Sequence, residues 1–154
     1  MGSYKNFDLV VYFIAGGVAN ATRDKLQTDI DFFKRYMRLD KVYLEPFRDG
    51  VFATEEQLRM CKEIFEANGI RAEGGITTSM PDIQGHVGKQ RMFNTLCYND
   101  PDMMNTLQQV CELNAKVFDA FIIDDFYFTN CTCEACRKGR DEYNAANGIT
   151  DGSW

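Results

Sequence analysis

Residues 118–140 read FDAFIIDDFYFTNCTCEACRKGR. Ala120 to Phe128 is an aromatic and β-branched run, the composition of a strand. It carries paired aspartates, Asp124 and Asp125, and three cysteines follow at C-x-C-x-x-C spacing. The segment therefore predicts a strand with carboxylates at its mouth and thiols beside it.

Upstream, the same alternation of strand and helix recurs. Phe7–Gly17, FDLVVYFIAGG, predicts a strand buried on both faces and stopped by two glycines. TRDKLQTDIDFFKRYMRL then sets Leu26, Ile30, Phe33 and Met37 on one helical face. KVYLEPFRDG predicts a strand Val42–Glu45, closed by Pro46 and a turn at Gly50. The next helix opens on the capping box Thr54-x-x-Gln57, buries Leu58, Cys61 and Phe65, and ends at Gly69. RAEGGITTS is a third, weaker strand, in which Gly74 and Gly75 admit a close backbone approach. Asp100-Pro101 starts a third helix as an N-cap and first-turn pair, and a fourth helix runs through CEACRKGRDEYNAANG.

Four strand–helix units in succession define an α/β fold of parallel strands with right-handed crossovers. AGGVAN, after the first strand, fits neither nucleotide-phosphate fingerprint. The expected architecture is the N-terminal half of a TIM-type (β/α)8 barrel, with residues 1–154 as one partial barrel domain. A half-barrel exposes two sheet edges and an apolar face. The expected partners are accordingly the missing C-terminal half of the barrel, on a longer chain, or a second copy.

Composition narrows the function. The 154 residues are 45% hydrophobic and 26% charged, as in a globular domain. A net charge of −6 without a basic patch argues against nucleic acid as a partner. No apolar run approaches ~20 residues, so no membrane span is expected. MGSYKNFDLV shows no signal-peptide pattern, and the compartment stays open.

Cys61 and Cys111 fall inside amphipathic helices, where a free thiol serves as a small buried hydrophobe. Cys131, Cys133 and Cys136 are close enough to converge on one ion, and structural zinc takes four soft ligands. Cys97, after the third strand, is the natural fourth, because neighbouring strand ends share one barrel face. The alternatives are a disulfide among them or reactive surface thiols. His86, the single histidine, is a substitute ligand or a solvated loop residue.

CYNDP…IIDDFYFTNCTCEACRKGRDEYN resembles the zinc-carrying part of family-42-type β-galactosidases, which are barrel-fold glycoside hydrolases. Those enzymes have a cysteine in a turn after strand three, an Asn-Glu ending strand four, and then C-x-C-x-x-C. The resemblance covers residues 97–143 and implies Cys97, Cys131, Cys133 and Cys136 as ligands of a structural Zn2+. This chain departs from the family at Asn-Glu, where it reads Asp124-Asp125. DAFIIDD is also similar to the D-G-x-x-x-D fourth strand of other glycosidase-like barrels, which selects Asp124, whereas the first alignment selects Asp125. Adjacent strand residues point to opposite sides, so one of the two faces the mouth.

Glycosidic hydrolysis uses two carboxyl groups, and barrel enzymes carry them at the C-terminal ends of strands. Asp124, Asp125 and Glu45 meet that requirement as catalytic candidates, with Arg48, Asp49 and Tyr127 as substrate contacts. Their structural alternatives are capping for the aspartates, a salt bridge between Arg48 and Glu45 or Asp49, and packing for the aromatics. The expected function is part of a glycoside hydrolase-like enzyme acting on carbohydrate, inactive by itself. A non-catalytic zinc-stabilised βα module that binds carbohydrate or a protein is the alternative, and a thiol redox sensor is a third.

Overall fold

The computed structural model describes residues 4–79, 89–90, 93–94, 96–124 and 131–150. Four strands, β1 (Val10–Phe13), β2 (Lys41–Leu44), β5 (Arg71–Ile76) and β8 (Phe121–Ile123), form one parallel sheet in that spatial order. Between β2 and β5 lie the short strands β3 (Phe47–Arg48) and β4 (Val51–Phe52), which pair with each other; β6 (Lys89–Gln90) and β7 (Phe93–Asn94) pair likewise. The helices are α1 (Ala15–Ala19), α2 (Arg23–Tyr36), α3 (Glu55–Ala67), α4 (Pro101–Val117) and α5 (Glu134–Asn147). Sequential strands neighbour one another through helical crossovers, the strand order of half an eight-stranded (β/α) barrel.

The core lies between the sheet and its helices. Val42 and Leu44 of β2 and Ala72 of β5 meet Leu26 and Ile30 of α2 and Leu58, Cys61, Ile64 and Phe65 of α3. The period of two sends the intervening residues, Lys41, Tyr43 and Glu73, to the opposite face, where they are only half-buried. There Lys41 Nζ lies 2.8 Å from Glu73 Oε2. Burial on both faces, expected of β1, is thus not found, and β1 carries no fully buried residue. The helices cover one face, and β1 lies at a sheet margin.

Local chemistry fixes the helix ends. Both halves of the Thr54–Gln57 capping box are made, and Asp100 Oδ1 accepts from the Asp102 and Met103 N–H groups ahead of Pro101. Two expectations need correction. The strand does not run on to its two glycines: β1 ends at Phe13 and the glycines lie in α1, whose Ala15 and Val18 are buried. In α2 only Leu26 and Ile30 are buried; Phe33 is exposed and Met37 has left the helix as its C-cap. Met37 still packs against the core, while Phe33 lies against Phe32 outside it.

Candidate functional site

Parallel strands put all their C-terminal ends on one rim, and each end contributes a polar group there. Ala15 follows β1, Glu45 follows β2, Thr77 follows β5 and Asp124 follows β8. Backbone bonds carry the register past the strands: Glu45 N–H donates to Phe13 O at 3.1 Å, and Asp124 N–H to Ile76 O at 2.9 Å.

Glu45 is fully buried. Its Oε2 accepts from the Ala15 N–H at 3.0 Å and from Arg48 Nε at 2.8 Å, while Oε1 accepts from the Tyr12 hydroxyl at 3.3 Å. The hairpin of β3 and β4 delivers Arg48. Asp49 (φ 51°) and Gly50 (φ 85°) are both left-handed, as a two-residue type I′ turn requires, so the tight return matches the strand twist. Phe47 is buried against Ile76 and Val110, and the strand alternation turns Arg48 the other way, onto the rim. Arg48 Nη2 reaches Thr77 Oγ1 at 3.4 Å and Asp124 Oδ2 at 3.7 Å, and its guanidinium lies 5.8 Å from the centre of the Tyr12 ring. Thr77 Oγ1 in turn stands 3.5 Å from Asp124 Oδ2.

The electrostatics follow from this packing. Burial, reinforced by the charges of Glu45 and Asp124, pushes the Tyr12 phenol far above its ordinary range, so it remains a hydrogen-bond donor. Burial alone would loosen the proton of Arg48, but the hydrogen bond and charge of Glu45 outweigh it and raise Arg48 above its ordinary value. Asp124 keeps about a third of its side chain exposed, against none for Glu45. Asp124 and Arg48 thus keep exposed surface at the rim, with Glu45 buried behind them.

Asp49 occupies the exposed tip of the hairpin. Asp125 and Tyr127, like His86, lie outside the described residues. Tyr12 and Thr77 were not among the sequence candidates, because nothing in VVYF or GITT marks them; they become visible only when parallel register aligns the strand ends. Asp49-Gly50 between Phe-Arg and Val-Phe was the available signal for the hairpin that carries Arg48.

The thiols form a second group on the same side. Cys97 lies in the turn before α4, its N–H facing Met103 Sδ at 3.0 Å. Cys133 is the N-cap of α5, and Cys136 sits in its first turn. The sulfurs of Cys97, Cys131, Cys133 and Cys136 all lie within 4.8 Å of one another, and all are free thiols. Cys97 Sγ is 3.5 Å from Cys136 Sγ and 3.9 Å from Cys133 Sγ. A tetrahedral ion with metal–sulfur bonds of about 2.3 Å separates its sulfurs by about 3.8 Å, so the donor set fits a metal ion. Asn99 Nδ2 donates to Cys136 Sγ at 3.2 Å, an outer contact of the kind that orients metal ligands. The backbone N–H of Cys136 draws the Cys133 thiol down to about 7, while burial pushes Cys97 and Cys131 up.

A parallel βα sheet with carboxylates and a guanidinium gathered on its C-terminal rim has the layout of a barrel enzyme's active face. The chain belongs to the family described as "Probable glycosyl hydrolase, catalytic domain", which matches residues 1–154. It is 31% identical over 145 residues to the uncharacterized protein SSO3021 of Saccharolobus solfataricus, covering 94% of this chain and 24% of that relative. Its fold is similar to the crystal structure of β-N-acetylhexosaminidase from Bacteroides fragilis, with a TM-score of 0.57 at 10% identity, over 94% of this chain and 36% of that one. The chain thus spans about a quarter of the curated relative and about a third of the solved structure.

Proposed function

We propose that this chain supplies the first four βα units of a glycoside hydrolase barrel, in which Asp124 is one of the two carboxyl groups that act on a glycosidic bond of a carbohydrate. One observation carries the reading. In a chain whose full length matches a glycosyl hydrolase catalytic family, Asp124 stands partly exposed at the C-terminal end of the fourth strand. Its Oδ2 is within reach of Arg48 and Thr77, which hold the carboxylate in one orientation. A carboxyl group so placed can pass a proton to the departing glycosidic oxygen or take one from the attacking water. Asp125 follows it directly and is the other carboxyl candidate of this strand.

The second catalytic carboxyl comes from a later strand of the closed barrel. Both margins of the sheet support closure. On β8, Phe121, Ile122 and Ile123 are 44%, 38% and 43% exposed, and on the β1 side Val10 and Ile14 are 39% and 49% exposed. Apolar strand residues left this open are the surface that further strands cover. The 154-residue chain by itself is therefore expected to show no appreciable glycosidase activity.

Cys97, Cys131, Cys133 and Cys136 would hold a structural zinc ion, since four thiolates leave no open position for water. When bound, the ion would fasten the start of α5 to the turn before α4. Elemental analysis should return one zinc per chain.

The decisive experiment is Asp124→Asn in the polypeptide as its gene encodes it, assayed on 4-nitrophenyl glycosides. Loss of turnover of roughly 100-fold or more in a variant that still folds supports the catalytic role. Unchanged turnover moves the reading to a zinc-stabilised module that binds carbohydrate without acting on it.

A further inference from the structure

The hydrogen-bond order on the rim assigns a ligand class to Arg48. Of its N–H groups, Nε–H is taken by Glu45, and Nη2 faces Thr77 and Asp124. Nη1 makes no hydrogen bond among the described residues. Arg48 is clamped from three sides, by the Glu45 carboxylate, the Tyr12 ring and the Thr77 hydroxyl. A guanidinium fixed in this way loses little freedom on binding, and its open edge stands beside an acceptor, Asp124.

We propose that Arg48 and Asp124 together grip two neighbouring hydroxyl groups of an uncharged sugar, and that Glu45 and Tyr12 are positioning residues acting through Arg48. The inference rests on the glycosidase reading and specifies the substrate class of that site. A guanidinium donates to one hydroxyl oxygen while a carboxylate accepts from the next hydroxyl, a pairing that neighbouring sugar hydroxyls satisfy in one step. Among the described residues, charge favours an uncharged ligand. The described rim holds one guanidinium against two carboxylates, and Glu45 has already engaged the guanidinium at 2.8 Å. A uronic acid would bring a further carboxylate beside those two, where like charges repel. Glu45, with no exposed surface and three donors on its oxygens, is arranged to hold Arg48 and not to meet a sugar.

The test uses the gene-encoded polypeptide, with kcat and KM measured on 4-nitrophenyl glycosides of neutral sugars, their monodeoxy analogues and the matching uronic acids. Neutral glycosides should be preferred over uronides by at least about tenfold in kcat/KM. Arg48→Lys, which keeps the charge and the Glu45 contact but lacks the second edge, should raise KM roughly 10- to 100-fold with a smaller change in kcat. Arg48→Ala should do the same wherever it folds. Glu45→Gln should reproduce the rise in KM while leaving both limbs of the pH profile in place. A preference for uronides, an unmoved KM in Arg48→Lys, or a displaced limb in Glu45→Gln overturns the proposal. Absence of turnover on every glycoside would count against the glycosidase reading alone. Saturation-transfer NMR with free glucose, galactose and glucuronate would then decide this proposal: a neutral-sugar signal lost in Arg48→Lys supports it, and no signal or a preference for glucuronate overturns it.

Discussion

Nη2 of Arg48 and Oδ2 of Asp124 stand 3.7 Å apart, although Arg48 lies in the hairpin after β2 and Asp124 follows β8, strands that are not neighbours. β5 lies between β2 and β8, and its Thr77 fills the gap, contacting both groups. The rim is thus one connected polar chain from Ala15 through Glu45, Arg48 and Thr77 to Asp124, crossing the sheet at right angles to its strands.

Breaking that chain at its buried end should be costly. Glu45→Ala leaves the Ala15 N–H and the partly buried Arg48 without their acceptor, and removal of one partner of a buried pair costs about 3–5 kcal/mol. Glu45→Gln, which keeps an acceptor oxygen, should cost less. Urea denaturation measures both; a loss below about 1 kcal/mol for the alanine variant would refute the anchoring role.

Gly74 and Gly75 are required by their neighbours. A Cβ on Gly75 would sit 2.5 Å from the Tyr12 hydroxyl oxygen, and one on Gly74 would run into Asn114 Oδ1 and come within 2.9 Å of the Phe118 ring. Each alanine variant should lose about 1–3 kcal/mol. Asn114 is fully buried and its Oδ1 has no hydrogen-bond partner among the described residues, so Asn114→Ala opens space where the Gly74 methyl points. A double-mutant cycle should show the pair recovering part of the Gly74→Ala loss; strict additivity would contradict this contact.

Metal removal should act on one helix first. No residue of α5 is buried, and Cys133 and Cys136 tie its start to Cys97. With a strong chelator, amides of residues 134–147 should lose protection about tenfold or more, while those of α3, whose Leu58, Cys61, Ile64 and Phe65 are buried, hold theirs. Hydrogen exchange read by mass spectrometry resolves the two; equal loss in both helices would mean that the thiols support the whole body.

Alkaline pH provides a fourth check. Burial pushes the Cys61 thiol up to about 11. At neutral pH the thiol is protonated whether the chain is folded or not, and nothing is lost. As pH rises past the unfolded thiol's value, the unfolded chain releases a proton that the folded one retains. Stability then falls by up to about 1.4 kcal/mol per pH unit until the folded thiol also titrates. Cys61→Ala should flatten this slope relative to the parent in denaturation curves between pH 8 and about 11. An unchanged slope would mean that the thiol is not held in the core.

What could be read beforehand was chiefly local. Thr54 with Gln57, Asp100 with Pro101, and the Leu58–Cys61–Phe65 stripe each act within a few residues, and each is found where the pattern placed it. The strand–helix alternation yielded the parallel sheet for the same reason. The meeting of Cys97 with Cys131, Cys133 and Cys136 was anticipated because soft ligands are scarce and chemically conspicuous. Tyr12 and Thr77 were not, because a tyrosine in a strand and a threonine after one are ordinary until cross-strand register juxtaposes them with Glu45 and Asp124. Phe33 failed differently: it has the helical spacing of Leu26 and Ile30, yet it is exposed and stands against Phe32 instead of the core.

β8 has a consequence for how this polypeptide behaves in the test tube. Phe121, Ile122 and Ile123 lie at a margin of the described sheet, where backbone groups on the outer side can template a foreign strand. Handling of the isolated 154 residues should be limited by self-association well before unfolding, and a lysine in place of Ile122 should lengthen its life in solution more than any substitution in the helices.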